Sequence, residues 1–205
     1  MQSGKNDVGN GGKRVAVVAM QGDFEKHVTM LRTLGVDAFT ARTPAEVDSA
    51  DGVILPGGES TTIGKLLARY RVDEAIRNAA AQQKPIYGTC AGMILLARGI
   101  AEGTGERGGQ PTLGLLDITV QRNAFGRQVD SFEADVDVPV VGVDPVHAVF
   151  IRAPIVVDAG VGVETLATID GKTVFVKQGS ILGSSFHPEL TGDDRVHRYF
   201  LSLIK

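Results

Sequence analysis

The sequence predicts an α/β fold: a mostly parallel sheet with helices on both faces, to which the C-terminal half adds an antiparallel portion. Three observations carry this. Strand and helix signals alternate through the first hundred residues, the order that builds a parallel sheet covered on both sides. The strand segments there are short unbroken apolar runs, such as Arg14-Val-Ala-Val-Val-Ala-Met20, which suit burial on both faces. After Gly99 helical periodicity gives way to alternating runs separated by turns.

The elements follow in chain order. Residues 1–13 are polar, Gly- and Asn-rich and lack a hydrophobic region, so they read as a disordered leader and not a secretory signal. Residues 14–205 read as a single domain, long enough to bury one large core. Gln21-Gly22-Asp23 ends the first strand. Asp23 is placed to cap a helix running to Leu34, with Val28, Leu31 and Leu34 at helical spacing, and Gly35 stops it. Residues 36–40 form a second strand. Thr43 caps a brief helix with Pro44 at its first position. Gly52-Val-Ile-Leu55 is a third strand closed by Pro56-Gly57-Gly58. Helices follow over 61–70 and 72–83, then a fourth strand over 85–88. A charged, Gly-rich loop spans 102–113. Strands are expected over 117–122, 134–138, 148–152, 163–169, 172–178 and 181–186, with Asp170-Gly171 as a hairpin turn. A helix over 193–204 closes the chain, with Val196, Tyr199, Phe200 and Leu203 on one face.

Bulk properties exclude several function classes. A net charge of −3 gives no reason to expect nucleic acid or an anionic membrane surface. No apolar run is long enough to cross a bilayer. One cysteine makes no internal disulfide, and a reducing cytoplasm fits. No cluster has zinc or calcium spacing, so neither metal nor cofactor is expected.

Sites in parallel sheets form beyond the carboxyl ends of the strands. Three loops meet on that edge: Met20-Gln21-Gly22, Pro56-Gly57-Gly58-Glu59-Ser60 and Thr89-Cys90-Ala91-Gly92. The last turns from strand to helix around the only cysteine, with Gly88 and Gly92 bracketing it. That is the logic of a nucleophile elbow. A helix N-terminus directly behind Cys90 would favour the thiolate. Read alone, Cys90 is equally a small buried apolar side chain. A cysteine hydrolase also needs a base and a group that orients it. Of four histidines, His187 follows an apolar strand and precedes Pro188 and Glu189. Pro188 biases His187 to extended backbone, where residues i and i+2 share a side, so Glu189 can hold the His187 ring. His27 reads as a solvated helix residue and His197 as a surface one, while His147 receives no role. Glycines of the 56–58 turn let backbone N–H groups point into a site. With the Ala91 N–H they could hold an oxyanion, one such donor carrying about 2.7–4 kcal/mol of transition-state stabilisation. A simple turn or a phosphate loop remains possible there, although Gly64-Lys65-Leu66 does not complete a Walker A motif.

Gly88-Thr-Cys90-Ala-Gly92, Pro56-Gly-Gly-Glu-Ser-Thr61 and His187-Pro-Glu189 together resemble the class I, triad-type glutamine amidotransferases. Gln21-Gly22, Arg122-Asn-Ala-Phe-Gly-Arg-Gln-Val-Asp-Ser-Phe-Glu133 and Phe150-Ile-Arg-Ala-Pro154 bring the chain closer to one branch, the glutaminase subunits of pyridoxal 5′-phosphate synthase. The resemblance runs from about Arg14 to the C-terminus; Ala124 and the 102–113 loop are minor departures. It implies the three-layer, flavodoxin-like fold of those enzymes. It implies Cys90 as nucleophile, His187 as base and then acid, and Glu189 as orienter. Gly58, Glu59, Ser60, Arg122, Ile151 and Arg152 would bind L-glutamine, and the N–H groups of Gly58 and Ala91 would hold the oxyanion. A guanidinium fork suits the α-carboxylate of glutamine. It further implies a partner, the (β/α)₈-barrel synthase subunit, in a hetero-oligomeric complex that uses the ammonia to make pyridoxal 5′-phosphate. Activity would be weak until that partner docks, with Gln21 in the loop where docking bears on the site. Two alternatives stay open: a glutaminase for another ammonia-accepting synthase, and a non-catalytic subunit using Cys90 as a sensor thiol.

Overall fold

The structure, a computed structural model, describes residues 12–101, 110–124 and 131–205. The expected leader therefore lies outside the described residues except for Gly12 and Lys13, as does the 102–113 loop except for its last part. Lys13 already belongs to the fold: its carbonyl accepts from the Asp37 N–H, and its ammonium donates to the Leu201 carbonyl at 2.9 Å.

The elements are β1 (Arg14–Val18), α1 (Phe24–Thr33), β2 (Asp37–Ala41), α2 (Pro44–Asp48), β3 (Gly52–Leu55), α3 (Ser60–Arg69), α4 (Val72–Ala81), β4 (Ile86–Thr89), α5 (Ala91–Leu96), β5 (Ala97–Ile100), β6 (Leu116–Gln121), β7 (Ser131–Val136), β8 (Val146–Ile151), β9 (Ile155–Ala159), β10 (Glu164–Ile169), β11 (Lys172–Gln178), β12 (Ile181–Ser184) and α6 (Arg195–Ser202). A single 3-10 turn, Pro188–Leu190, lies between β12 and α6.

The alternation of the first half becomes a parallel block ordered β2-β1-β3-β4-β12. From β12 the sheet continues through β11, β9 and β6 by antiparallel pairing, and β5 closes it parallel to β6. β10 pairs with β11 across the Asp170-Gly171 turn, as the hairpin signal predicts. β7 and β8 form a separate two-stranded ribbon. The central strands β3, β4 and β12 are buried throughout, which explains their unbroken apolar character.

The sheet divides the core in two. On one face Val47, Ile63, Leu67, Ile76 and Met93 from α2 to α5 pack together. On the other, Val28 and Leu31 of α1 and Phe200 of α6 meet Val146, Ala148 and Phe150 of the ribbon. Thr43 caps α2 with a reciprocal capping box to Glu46 and Pro44 follows it, as expected.

Several expectations need correction. Asp23 makes no side-chain cap on α1. The last strand stops at Ser184, short of residue 186, and the last helix starts at Arg195 because the Asp193 carboxylate accepts from the Arg195 N–H at 3.0 Å instead of continuing the helix. Strands β5 and β9 have no counterpart in the sequence reading. Ala97-Arg-Gly-Ile100 looks like the tail of a helix, and only pairing with β6 makes it a strand.

Candidate functional site

β4 and β12 run parallel with Ser184 opposite Thr89, so both strands end at one edge and hand over to Cys90 and His187. The Cys90 N–H donates to the Ser184 carbonyl at 2.7 Å and the His187 N–H to the Val149 carbonyl at 2.9 Å. Cys90 sits at φ +49°, ψ −103°, and α5 starts at the next residue. A non-glycine residue there is strained, and strain at a strand-to-helix corner holds a side chain toward a site. The glycines make the corner possible. A Cβ at Gly92 would strike the Leu55 carbonyl, and one at Gly88 the backbone of Gly92.

The Cys90 sulfur lies 3.7 Å from the Ile151 carbonyl and lines the same cleft as the His187 ring. On its other edge, His187 Nδ1 is 2.7 Å from Glu189 Oε1. The expected pairing is therefore present, but by a different local route. Pro188 and Glu189 enter a 3-10 turn in place of a continued extended strand. Burial opposes charge on His187, but contacts with Cys90 and Glu189 outweigh it and lift the ring to about 10. Burial likewise pushes the Glu189 carboxyl up; His27 and His187 outweigh it and hold it below its usual value. The arrangement is that of an ionised carboxylate behind a protonated imidazole that faces the Cys90 sulfur.

The cleft in front of Cys90 has a volume of about 380 Å³, lined by Gln21, Gly22, Asp23, Gly57, Gly58, Glu59, Ile151, Arg152 and His187 as well as Cys90. A smaller lobe of about 140 Å³ adds Ser60, Ala91, Ile94, Arg122 and Asn123. Every residue expected at the site lines one of these two lobes, except Glu189, which is buried behind His187. Gln21 Oε1 accepts from the Glu59 N–H at 2.8 Å, tying the first loop to the second. The Glu59 carboxylate caps α3, accepting from the N–H groups of Thr61 and Thr62 at 2.9 and 2.7 Å. Burial pushes it up, yet these bonds win and hold it at about 2. Arg122 donates to the hydroxyls of Ser60 and Thr61, and both hydroxyls donate to Gln110 Oε1.

Two expectations on histidines are overturned. His27 and His197 are fully buried, not solvated. His27 Nδ1 lies 3.0 Å from His197 Nε2, and His27 Nε2 lies 3.4 Å from Glu189 Oε2. The signal was available for His27: Phe24, His27, Val28 and Leu31 fall at i, i+3, i+4, i+7, one inward stripe. Gln110 was also missed, and nothing in its local sequence marks it.

A model of the SNO glutamine amidotransferase family matches residues 17–205. The chain belongs to this family. Among its relatives, a pyridoxal 5′-phosphate synthase subunit PdxT of Herpetosiphon aurantiacus is 57% identical over 190 residues, covering 92% of this chain and 99% of the relative. One of the same name from Pelotomaculum thermopropionicum is 52% identical, covering 92% and 93%. A crystal structure of a glutamine amidotransferase superposes with a TM-score of 0.85 at 47% identity, covering 93% of this chain and 98% of that one. A GMP synthase subunit from Thermoplasma acidophilum, 18% identical, shares the fold with a TM-score of 0.67 and coverage of 94% of each chain. Membership of the SNO family accords with the three-layer sheet and with the elbow, whose glycines the fold requires.

Proposed function

We propose that the protein is the glutaminase subunit of a pyridoxal 5′-phosphate synthase, hydrolysing L-glutamine to L-glutamate and ammonia for vitamin B6 biosynthesis. The observation that carries the reading is the Cys90, His187, Glu189 set at the strand-to-helix corner, in a chain whose relatives bear the name of that subunit. The Cys90 thiolate attacks the side-chain carboxamide carbon of glutamine. Backbone N–H groups at Gly58 and Ala91 hold the oxyanion, while Glu59, Ser60, Arg122, Ile151 and Arg152 hold the amino-acid end. His187 gives its proton to the leaving nitrogen and ammonia departs, leaving a thioester. His187 then takes a proton from water, which attacks the thioester carbonyl; the adduct collapses, glutamate leaves, and the Cys90 thiolate and protonated His187 are restored. Glu189 keeps the imidazole oriented throughout.

Ammonia released into water is protonated and lost as a nucleophile, so the reaction calls for a partner that receives it directly. That partner is a (β/α)₈-barrel synthase subunit. Its docking acts through Gln21, whose bond to the Glu59 N–H reaches the oxyanion loop. The single cysteine suits a cytoplasmic enzyme. Glutamate release, measured with and without the synthase subunit for the wild-type chain and for Cys90→Ala, tests the reading. Turnover that rises with the partner and vanishes in Cys90→Ala is expected. No turnover from a folded wild-type chain with partner present would leave a binding or sensor subunit.

A further inference from the structure

Behind Glu189 lies a buried histidine pair that the reaction as written does not use. His27 comes from α1 and His197 from α6. Glu189 Oε1 is taken by His187, but Oε2 is buried and lacks a hydrogen-bond partner among the described residues. A buried carboxylate oxygen left without a donor is costly. His27 Nε2 stands 3.4 Å from that oxygen and 3.3 Å from Thr89 Oγ1.

We propose that His27 is a positioning residue: its Nε2–H holds the second oxygen of Glu189, and a hydrogen bond from His197 sets the tautomer that puts the proton there. The inference rests on the triad reading above. Across the 3.0 Å between His27 Nδ1 and His197 Nε2, one ring donates and the other accepts. If His27 donated, its bare Nε2 would set a lone pair against a carboxylate oxygen. If His197 donates, the proton of His27 lies on Nε2 and faces Glu189. The second arrangement is the favourable one, and an outer hydrogen bond commonly fixes an imidazole tautomer in this way.

Both rings must be neutral for this, and burial lowers both. The titratable groups facing His27 are Glu189 of the 3-10 turn, His187 just ahead of it, His197 from α6 and Asp23 ahead of α1. Tyr87 of β4 meets the His197 ring edge-on, with centroids 6.4 Å apart. Contacts of this kind are often long in a free enzyme and shorten in the reacting complex. The result is a continuous buried string from His197 through His27, Glu189 and His187 to Cys90.

The test uses the full chain with the synthase subunit. It compares His27→Leu, His27→Gln and His197→Phe for kcat, for KM of glutamine and for the pH profile of kcat. Alkylation of Cys90 by iodoacetamide is followed in parallel. His27→Leu is expected to lower kcat by roughly 10- to 100-fold, the range that outer partners of oriented imidazoles carry in metal sites, with KM unchanged. Without the Nε2–H, Glu189 drifts toward its neutral form and supports the imidazolium less. The acid limb of kcat then moves up by roughly one pH unit. His27→Gln, whose amide N–H reaches the Nε2 position, recovers most of the loss. His197→Phe falls between.

Wild-type kcat in His27→Leu overturns the proposal. Equal losses in the Leu and Gln variants with an unmoved pH profile also overturn it, since that is the behaviour of packing alone. Should His27→Leu fail to fold, His197→Phe decides: reduced kcat with the same pH shift supports the proposal, and wild-type behaviour overturns it. If the wild-type chain alkylates at Cys90 but releases no glutamate, the glutaminase reading falls instead. The alkylation rate, slowed in His27→Leu and recovered in His27→Gln, then carries the test of positioning.

Discussion

Gly57 shows how much a single missing side chain does. A Cβ built there would run into the His187 ring, with Nδ1 at 3.1 Å and Nε2 at 3.3 Å. Gly57→Ala must therefore push the ring off its line to Cys90. Since a displacement of about 1 Å costs about 10²-fold in rate, glutamate release should fall by about that factor while the melting temperature changes little. Wild-type turnover from Gly57→Ala would mean that the ring has room to spare. His197 makes the opposite kind of contribution. Burial, then the neighbouring His27, hold it at about 3, below the ordinary 6.5. A base depressed in the folded state binds fewer protons than in the unfolded chain between those values. Its contribution to stability is complete above pH 6.5 and drains away as pH falls toward 3. The melting temperature should drop as pH is lowered from 6.5 to 4, and His197→Phe should flatten that slope. An unchanged slope in the variant would assign the acid sensitivity to other groups.

At the scale of elements, the site is a meeting of loop and helix ends that no one element specifies. β4 brings Cys90 and β12 brings His187, and their parallel register sets the two side by side. α5 contributes its first turn against β3, where only glycine fits at position 92. The loop after β1 reaches the loop after β3 through one bond, from the Glu59 N–H to Gln21 Oε1. If docking acts through that bond, Gln21→Ala should reduce the stimulation of glutamate release by the synthase subunit several-fold while leaving the thermal melt near wild type, as loss of one surface hydrogen bond of about 1 kcal/mol would. Undiminished stimulation in Gln21→Ala would exclude the loop as the route.

For the molecule as a whole, the ribbon of β7 and β8 must be held against the main sheet, because Ile151 and Arg152 at its end line the cleft. Aromatic rings make that joint. Phe132 stacks on Phe150 with centroids 4.6 Å apart, Phe150 meets Phe186 at 5.8 Å, and Phe186 meets Phe175 at 5.7 Å. Tyr87 continues the series to Phe175 and Phe200. Phe150 is fully buried at its centre. Phe150→Ala should cost about 3–5 kcal/mol, read from denaturant midpoints. It should also raise KM for glutamine and lower kcat, because the moving ribbon end lines the cleft and its Val149 carbonyl holds the His187 N–H. A kcat loss with unchanged KM would place the ribbon's influence elsewhere.

The sequence by itself determined the parallel half, the elbow and the triad candidates, because each is written in local chemistry. Unbroken apolar runs mark buried strands, and glycines at 57, 58, 88 and 92 mark backbone that must turn or touch. His187-Pro-Glu189 carries its own pairing within three residues. Only the tertiary structure decided what depends on partners distant in the chain. Ala97–Ile100 became a strand because β6 lay beside it. His27 and His197, 170 residues apart, meet because α1 and α6 pack on the same face of the sheet. A polar ring on a helix can face water or a buried carboxylate, and the choice is made when the opposite wall is built.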